Sequence, residues 1–235
     1  MKASIIIPAR YGSSRYKGKP LILINKVPLV IRVIKKCIKA LSSKDVFVAT
    51  DHKIIAKTVK SYGHNYIMTS KKNLTGTDRV AEASKKINAK IIINVQGDEP
   101  LINPNDIKKV IKYKKKYKNH IICAYCEIRK DENVNRRTLP KVVFNEKNEL
   151  IYISRNRIPI SKNSNHKIKF YKQVCIYAYT KQELNKFKKF NRKSKIEKIE
   201  DIEILRFFEF GKKIKMVKVS KSSVPVDEPY DKRKV

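Results

Sequence analysis

The sequence predicts an α/β domain: a mostly parallel sheet with helices on both faces and a β-hairpin insertion. Three observations carry that expectation. Short β-branched runs such as ASIIIPA (3–9), VFVAT (46–50) and IIINV (91–95) are apolar throughout, the pattern of strands covered on both faces. Segments with apolar residues at helical intervals alternate with them. After about residue 128 the texture changes to longer strands and a hairpin signal. At 235 residues the chain suits one large domain of this kind.

The elements follow in order. ASIIIPA opens as a strand and ends in a basic loop; VPLVIRVIKKCIKAL is a helix and KDVFVATD returns as a buried strand, completing a βαβ unit. HKIIAKTVKSYG reads as a helix, NYIMTS as a strand, and TDRVAEASKKI as a helix with Thr77 as its N-cap. AKIIINVQGDEP, PNDIKKVIKYKKKY and HIICAYCEI continue as strand, helix and strand. Beyond them LPKVVFNEKNELIYISR is a hairpin turning at NEKN, and KFYKQVCIYAY a longer strand. KQELNKFKKF and KIEKIEDIEILRFFEFG are amphipathic helices, the second stopped by Gly211, and KIKMVKVS is a last strand. This divides the single domain into a first, mostly parallel half (1–128), an insertion (129–200) and a return to the main sheet (201–235).

Composition excludes several classes. No apolar run is long enough to span a bilayer, and MKASIIIPAR lacks a signal-peptide core, so a cytoplasmic protein is expected. Cys37, Cys123, Cys126 and Cys175 sit in apolar surroundings that suit reduced core thiols; Cys123 and Cys126 lie three apart on a strand, pointing to opposite faces. The net charge of +35 raises nucleic acid as a partner, yet 44 of the 56 cations are Lys spread through nearly every segment. A dedicated reader of bases would gather its charge on one face and favour Arg, so no specific nucleic-acid partner is expected. The run KKVIKYKKKYKN (108–119) reads as a solvated helix face.

Chemistry belongs outside the carboxyl ends of the strands, where the strand order reverses. Two loops meet that condition. PARYGSSRYKGKPL (8–21) carries Arg10, Arg15 and Lys19, with Gly12 and Gly18 permitting close backbone approach. NVQGDEP (94–100) presents Gln96, Gly97, Asp98 and Glu99. Cations facing a carboxylate suit a polyphosphate with a divalent metal. Five residues separate Gly12 from Gly18, and Pro20 stands where a P-loop needs Ser or Thr, which disfavours a P-loop kinase. No GxGxxG motif supports a dinucleotide-binding oxidoreductase.

IIPARYGSSRYKGKPL, VATDH, TGTDRVAE, NVQGDEP, KVVFN with ISRNRIP, CIYAY and PVDEP, in that order, resemble the 3-deoxy-manno-octulosonate (Kdo) cytidylyltransferases over essentially the whole chain. The resemblance implies a Rossmann-like nucleotidyltransferase fold of the nucleotide-diphospho-sugar transferase type. It also implies Mg²⁺ as cofactor, with CTP and a 3-deoxy-2-keto sugar acid as substrates. It would place Arg10, Arg15 and Lys19 on the triphosphate and Asp98 with Asp227 on Mg²⁺. Ala9, Gly12, Ser13, Thr75, Gly76, Arg79 and Gln96 would lie against the nucleotide. Gln96, Arg155, Gln173, Tyr177, Glu200 and Glu203 would face the sugar. The hairpin is expected to serve a homodimer. Lys17 stands where the family usually has Pro, Gln173 where it has His, and Ile204 where it has a polar residue. The latter two departures are expected on the sugar side, leaving an 8-amino sugar acid as an alternative substrate.

Overall fold

In a computed structural model, residues 1–12, 17–163, 168–226 and 231 are described. β1 (Ala3–Ala9) is buried at every residue and leads to a small ribbon, β2 (Leu23–Ile24) with β3 (Val27–Pro28), that runs into α1 (Leu29–Cys37). β4 (Val46–Thr50), α2 (Lys53–Ser61), β5 (Asn65–Met68), α3 (Gly76–Ser84) and β6 (Ile91–Val95) follow. Then come α4 (Pro104–Lys116), β7 (Ile121–Glu127), the hairpin β8 (Lys141–Phe144) and β9 (Leu150–Ser154), and β10 (Tyr171–Thr180). α5 (Lys181–Lys189), α6 (Lys195–Glu200), a 3₁₀ segment (Glu203–Phe210) and β11 (Ile214–Lys218) complete the order.

The main sheet runs β11-β7-β10-β6-β1-β4-β5, with β8 paired to β10 and β9 to β8. β4 and β6 flank β1 in parallel, so the chain extends first to one side of β1 and then to the other. That reversal opens a crevice at the carboxyl ends of β1 and β6. Alternation along the strands divides the core into two layers. Ile5 and Ile7 face α1, α2 and α4 through Val30, Ile31, Ile55, Val59, Ile107 and Val110. Ile6 and Ile92 face α3, α5 and the 3₁₀ segment through Val80, Ala81, Leu184, Phe187, Leu205 and Phe207. Cys126 belongs to the first layer and Cys123 to the second, and all four cysteines are free thiols.

Four expectations need correction. Thr75, one residue ahead of α3, is its N-cap and accepts from Asp78 N–H at 3.2 Å; Thr77 lies inside the helix. The stretch read as an insertion to residue 200 contains β10, which is antiparallel to both β6 and β7 and sits between them in the main sheet. What projects is therefore bounded near residue 170. The long helix expected over 195–211 is broken at Asp201, whose φ of 49° is the left-handed conformation that ends α6. The break leaves Ile199 82% exposed on α6 and turns Ile204, Leu205 and Phe207 into the core. Finally, Lys114 within the α4 lysine run is buried, with Nζ bound by Glu183 at 2.8 and 3.0 Å and by the carbonyls of Lys118 and His120. Its neighbours Lys108, Lys109, Lys112, Lys115 and Lys116 are exposed, as expected of a solvated face.

One polar cluster joins α3, α6 and the 3₁₀ segment. Arg206 is wholly buried and donates to Asp78 at 3.0 and 3.2 Å and to Glu197 at 2.7 and 2.6 Å, while its guanidinium lies 3.8 Å from the centroid of the Phe187 ring. Glu197 also completes a capping box with Ser194 at the start of α6. Arg206→Met would leave two buried carboxylates without their cation, an expected loss of roughly 3–5 kcal/mol. For a chain of this size that is a fall in Tm of roughly 10 °C. A thermal melt of the variant within 1–2 °C of the parent, roughly the scatter of a neutral surface change, would contradict the ion cluster.

Candidate active site

β1 and β6 are adjacent and parallel, so the loops leaving their carboxyl ends emerge side by side. Gly97 permits that approach: a Cβ there would stand 2.9 Å from the carbonyl oxygen of Pro8. Beyond it Asp98 meets Lys19, Nζ to Oδ2, at 2.7 Å. Lys19 is delivered by a short 3₁₀ turn (Lys19–Leu21) that starts at Gly18, whose φ of 70° suits glycine. Arg10 is exposed at the mouth and engages no other side chain among the described residues.

The chain returns to these strand ends near its C-terminus. Ser223 Oγ donates to Glu99, which turns inward and is buried, and Val226 N–H donates to the Asp98 carbonyl at 2.9 Å. Asp227, Arg15 and Ser13 lie outside the described residues. The last described position before Asp227 is thus held against Asp98.

A second wall is the N-terminus of α3. Glu203 accepts from Gly76 N–H at 2.9 Å and Thr77 N–H at 2.6 Å, placing a carboxylate on two unpaired helix amides. Burial pushes its carboxyl above the usual range, and the bonds from Thr77 and Gly76 hold the shift back. Gln96 packs beside it: a Cβ on Gly76 would lie 3.2 Å from Glu203 Oε1 and 3.3 Å from Gln96 Nε2. Arg79 also borders the cleft, but its guanidinium binds Thr69 Oγ1 at 2.6 Å and Asp51 at 3.0 Å.

The third wall comes from β10 and the hairpin. Gln173, Cys175 and Tyr177, spaced two apart, face the cleft. Gln173 Nε2 lies 3.7 Å from Cys123 Sγ, and its backbone N–H is held by Pro140 O at 2.9 Å. Together the walls enclose about 300 Å³, a cleft also bordered by Ala9, Arg10, Lys19, Thr75, Gly76, Asp98, Arg155 and Glu203.

A family model for cytidylyltransferases matches residues 4–214. The chain belongs to the cytidylyltransferase family. The 3-deoxy-manno-octulosonate cytidylyltransferase of Escherichia coli is 36% identical over 186 residues, covering 79% of this chain and 75% of that protein. The 8-amino-3,8-dideoxy-manno-octulosonate cytidylyltransferase of Shewanella pealeana is 37% identical over 192 residues, covering 80% and 78%. Among solved structures, a CMP:2-keto-3-deoxy-manno-octonic acid synthetase complexed with CTP aligns with TM-score 0.91 at 34% identity, covering 100% of this chain and 96% of that one.

Within this cytidylyltransferase, two expected site residues and one expected sugar-side departure take other places. Glu200 does not border the cleft; it anchors the hairpin, accepting from Ser154 Oγ at 2.6 Å, Tyr152 Oη at 3.3 Å and Arg155 N–H at 2.8 Å. Gly12 is exposed and outside the lining. Ile204 is buried in the core, so its departure from the family pattern falls away from the cleft. Arg155 borders the cleft, yet its guanidinium is tied to the carbonyls of Glu200, Arg137 and Asp201 at 2.5, 3.0 and 2.9 Å. The structure adds cations the sequence did not single out. Lys172 is buried against Glu132, and Lys193 binds Asp201 at 2.8 Å. Lys172 adjoins Gln173 in sequence, but one more lysine among 44 carried no signal.

Lys141 lies beneath the third wall. It is wholly buried, and Nζ donates to the carbonyls of Arg136 and Arg155, fixing both loops. Burial and the nearby Arg155 charge lower its pKa to about 8, against the opposing pull of Glu200. Between that value and the ordinary 10.5 the unfolded chain binds the extra proton, so this group's contribution to stability rises with pH through the window. Subtracting the Lys141→Met stability curve from the parental one should leave a rise between pH 8 and 10.5 of at most about 3 kcal/mol. The raised thiols are common to both proteins and cancel; a flat difference would refute the burial effect. Separately, Gly97→Ala should separate the ends of β1 and β6, costing about 1–3 kcal/mol of stability and weakening nucleotide binding measured by calorimetry. Unchanged affinity would show that the close approach is dispensable.

Proposed function

We propose that the chain joins CTP to 3-deoxy-D-manno-octulosonate, releasing pyrophosphate and forming CMP-Kdo, which activates the sugar for lipopolysaccharide or surface-glycan synthesis. The observation that carries this reading is Lys19 against Asp98 at the switch point, inside a cleft whose opposite wall is built by β10 and the hairpin. The match to a synthetase complexed with CTP supports it.

In the proposed reaction the sugar's anomeric hydroxyl attacks the α-phosphorus in line as pyrophosphate leaves. Alignment and charge neutralisation are then what the protein must provide. Arg10 and Lys19, with Arg15, hold the triphosphate; Thr75, Gly76 and Gln96 pack against the nucleotide. Gln96, Gln173 and Tyr177 face the sugar, with Glu203 fixing the edge of α3. Arg79 and Arg155 shape the walls through their internal bonds.

The family implies a divalent metal, and the residues present fit one. Asp98 offers a hard carboxylate oxygen, already drawn to a cation at 2.7 Å, and its backbone carbonyl is held by Val226 N–H. Mg²⁺ characteristically takes one or two carboxylates with phosphate oxygens and water. Among the described residues no cluster of three or more acidic, His or Cys side chains competes for it. When bound, Mg²⁺ held by Asp98 and Asp227 would supply charge neutralisation at the phosphates.

A second reading is favoured by the 37% identity to the 8-amino enzyme: the sugar acid carries an amine at C8. A homodimer through the hairpin, where Ile151 of β9 is 57% exposed, and a cytoplasmic location belong to the same proposal. Among the described residues no helix is long and apolar enough to cross a membrane.

Asp98→Asn is expected to reduce Mg²⁺-dependent pyrophosphate release from CTP and Kdo by about 100-fold or more. Full activity in that variant would overturn the site. Parallel assays with Kdo and its 8-amino analogue, each with all four nucleotides, decide between the two sugars and verify the base.

A further inference from the structure

The ring of Tyr11 lies almost parallel to the imidazole of His52, with centroids 4.0 Å apart and planes 13° from parallel. Neither side chain borders the cleft. Tyr11 is nevertheless where the two ends of the basic loop meet. Gly18 N–H donates to the Tyr11 carbonyl at 2.9 Å, and a Cβ on Gly18 would touch the Tyr11 ring at 3.6 Å. The next residue is Lys19, which reaches Asp98. On its other side, His52 is fixed at the carboxyl end of β4. Its N–H donates to Thr50 Oγ1 at 3.3 Å, and Nδ1 accepts from Ile54 N–H at 3.3 Å as the N-cap of α2.

An N-cap alone does not call for histidine, since Asn, Asp, Ser and Thr perform it better. What the imidazole adds is a flat ring large enough to stack. We propose that His52 is a positioning residue: stacked on Tyr11, it holds the stem of the basic loop at the height from which Lys19 meets both Asp98 and an incoming triphosphate. The proposal rests on the reading of the cleft as a triphosphate site.

Two substitutions separate the stack from the cap. His52→Asn keeps a capping side chain and removes the ring; His52→Phe keeps a ring and removes the cap. The readouts are the calorimetric Kd for inorganic tripolyphosphate, the KM for CTP, kcat and Tm. His52→Asn should raise Kd and KM about 2- to 10-fold, the range of one aromatic pair, with kcat changed less. His52→Phe should keep Kd and KM near the parental values while lowering Tm. Tyr11→Ala should match His52→Asn, and the double variant should be no worse than either single one. Equal Kd values in His52→Asn and His52→Phe, or fully additive losses in the double variant, overturn the stack. A parental chain that binds tripolyphosphate yet forms no CMP-sugar overturns the proposed reaction instead, and the Kd comparison still decides the role of His52.

Discussion

The cleft depends first on a buried charge arrangement. Arg206, wholly enclosed, binds two carboxylates, Asp78 on α3 and Glu197 on α6. A guanidinium removed from water is costly, and these bonds with the Phe187 ring below it are its compensation. Because the partners come from separate elements, the cluster acts as a joint. It holds α3 against the 3₁₀ segment, and that register lets Glu203, three residues before Arg206, reach the amides of Gly76 and Thr77. A slip of one residue would put an apolar side chain on the helix end and leave its N–H groups unpaired. The cleft wall is therefore fixed by charges that lie outside the cleft lining.

The opposite wall is fixed by sterics. Two parallel strands always bring their loops near one another, but the gap after them is set by what the loops carry. At Gly97 there is no room for a methyl group against Pro8 O, so the β6 loop lies on the β1 backbone itself. Lys19 and Asp98 then come within hydrogen-bond distance at 2.7 Å. The C-terminal strap adds to this from outside, through Ser223 on Glu99 and Val226 on Asp98.

The fold was legible because its signals are local. β1 and β6 read as strands from uninterrupted β-branched runs, and α5 from the amphipathic spacing of KQELNKFKKF, to which the structure adds a capping box between Thr180 and Glu183. What failed depended on distant partners. Helical spacing continues through Asp201, yet the chain breaks there because Ile204, Leu205 and Phe207 have a core to enter and Ile199 does not. β10 gave no hint of joining the main sheet antiparallel, since strand order leaves no mark on a single segment. In the site, the pairing of the β1 and β6 loops was legible from fold-level rules. The anchoring role of Glu200 was not, because its partners Tyr152, Ser154 and Arg155 lie almost fifty residues earlier.

Lysine is the residue whose meaning the sequence hid most. Most of the 44 are solvated, and a few are structural for reasons only the packing reveals. Lys114 gathers two carbonyls and Glu183, Lys141 gathers two loop carbonyls, and Lys172 is buried on Glu132. Each has donors enough to bind several acceptors at once, and each joins segments that sequence analysis treats as separate. With Ile204 in the core and Arg155 tied to three carbonyls, the departure that reaches the cleft is Gln173. Its amide has a weak partner in the Cys123 sulfur at 3.7 Å, and a neutral amide can donate to a hydroxyl or accept from an ammonium. On the proposed reading of the cleft, discrimination between a hydroxyl and an amine would fall to the charge of the surrounding wall. There the charges of Lys172 and Lys193 are largely compensated by their pairs with Glu132 and Asp201.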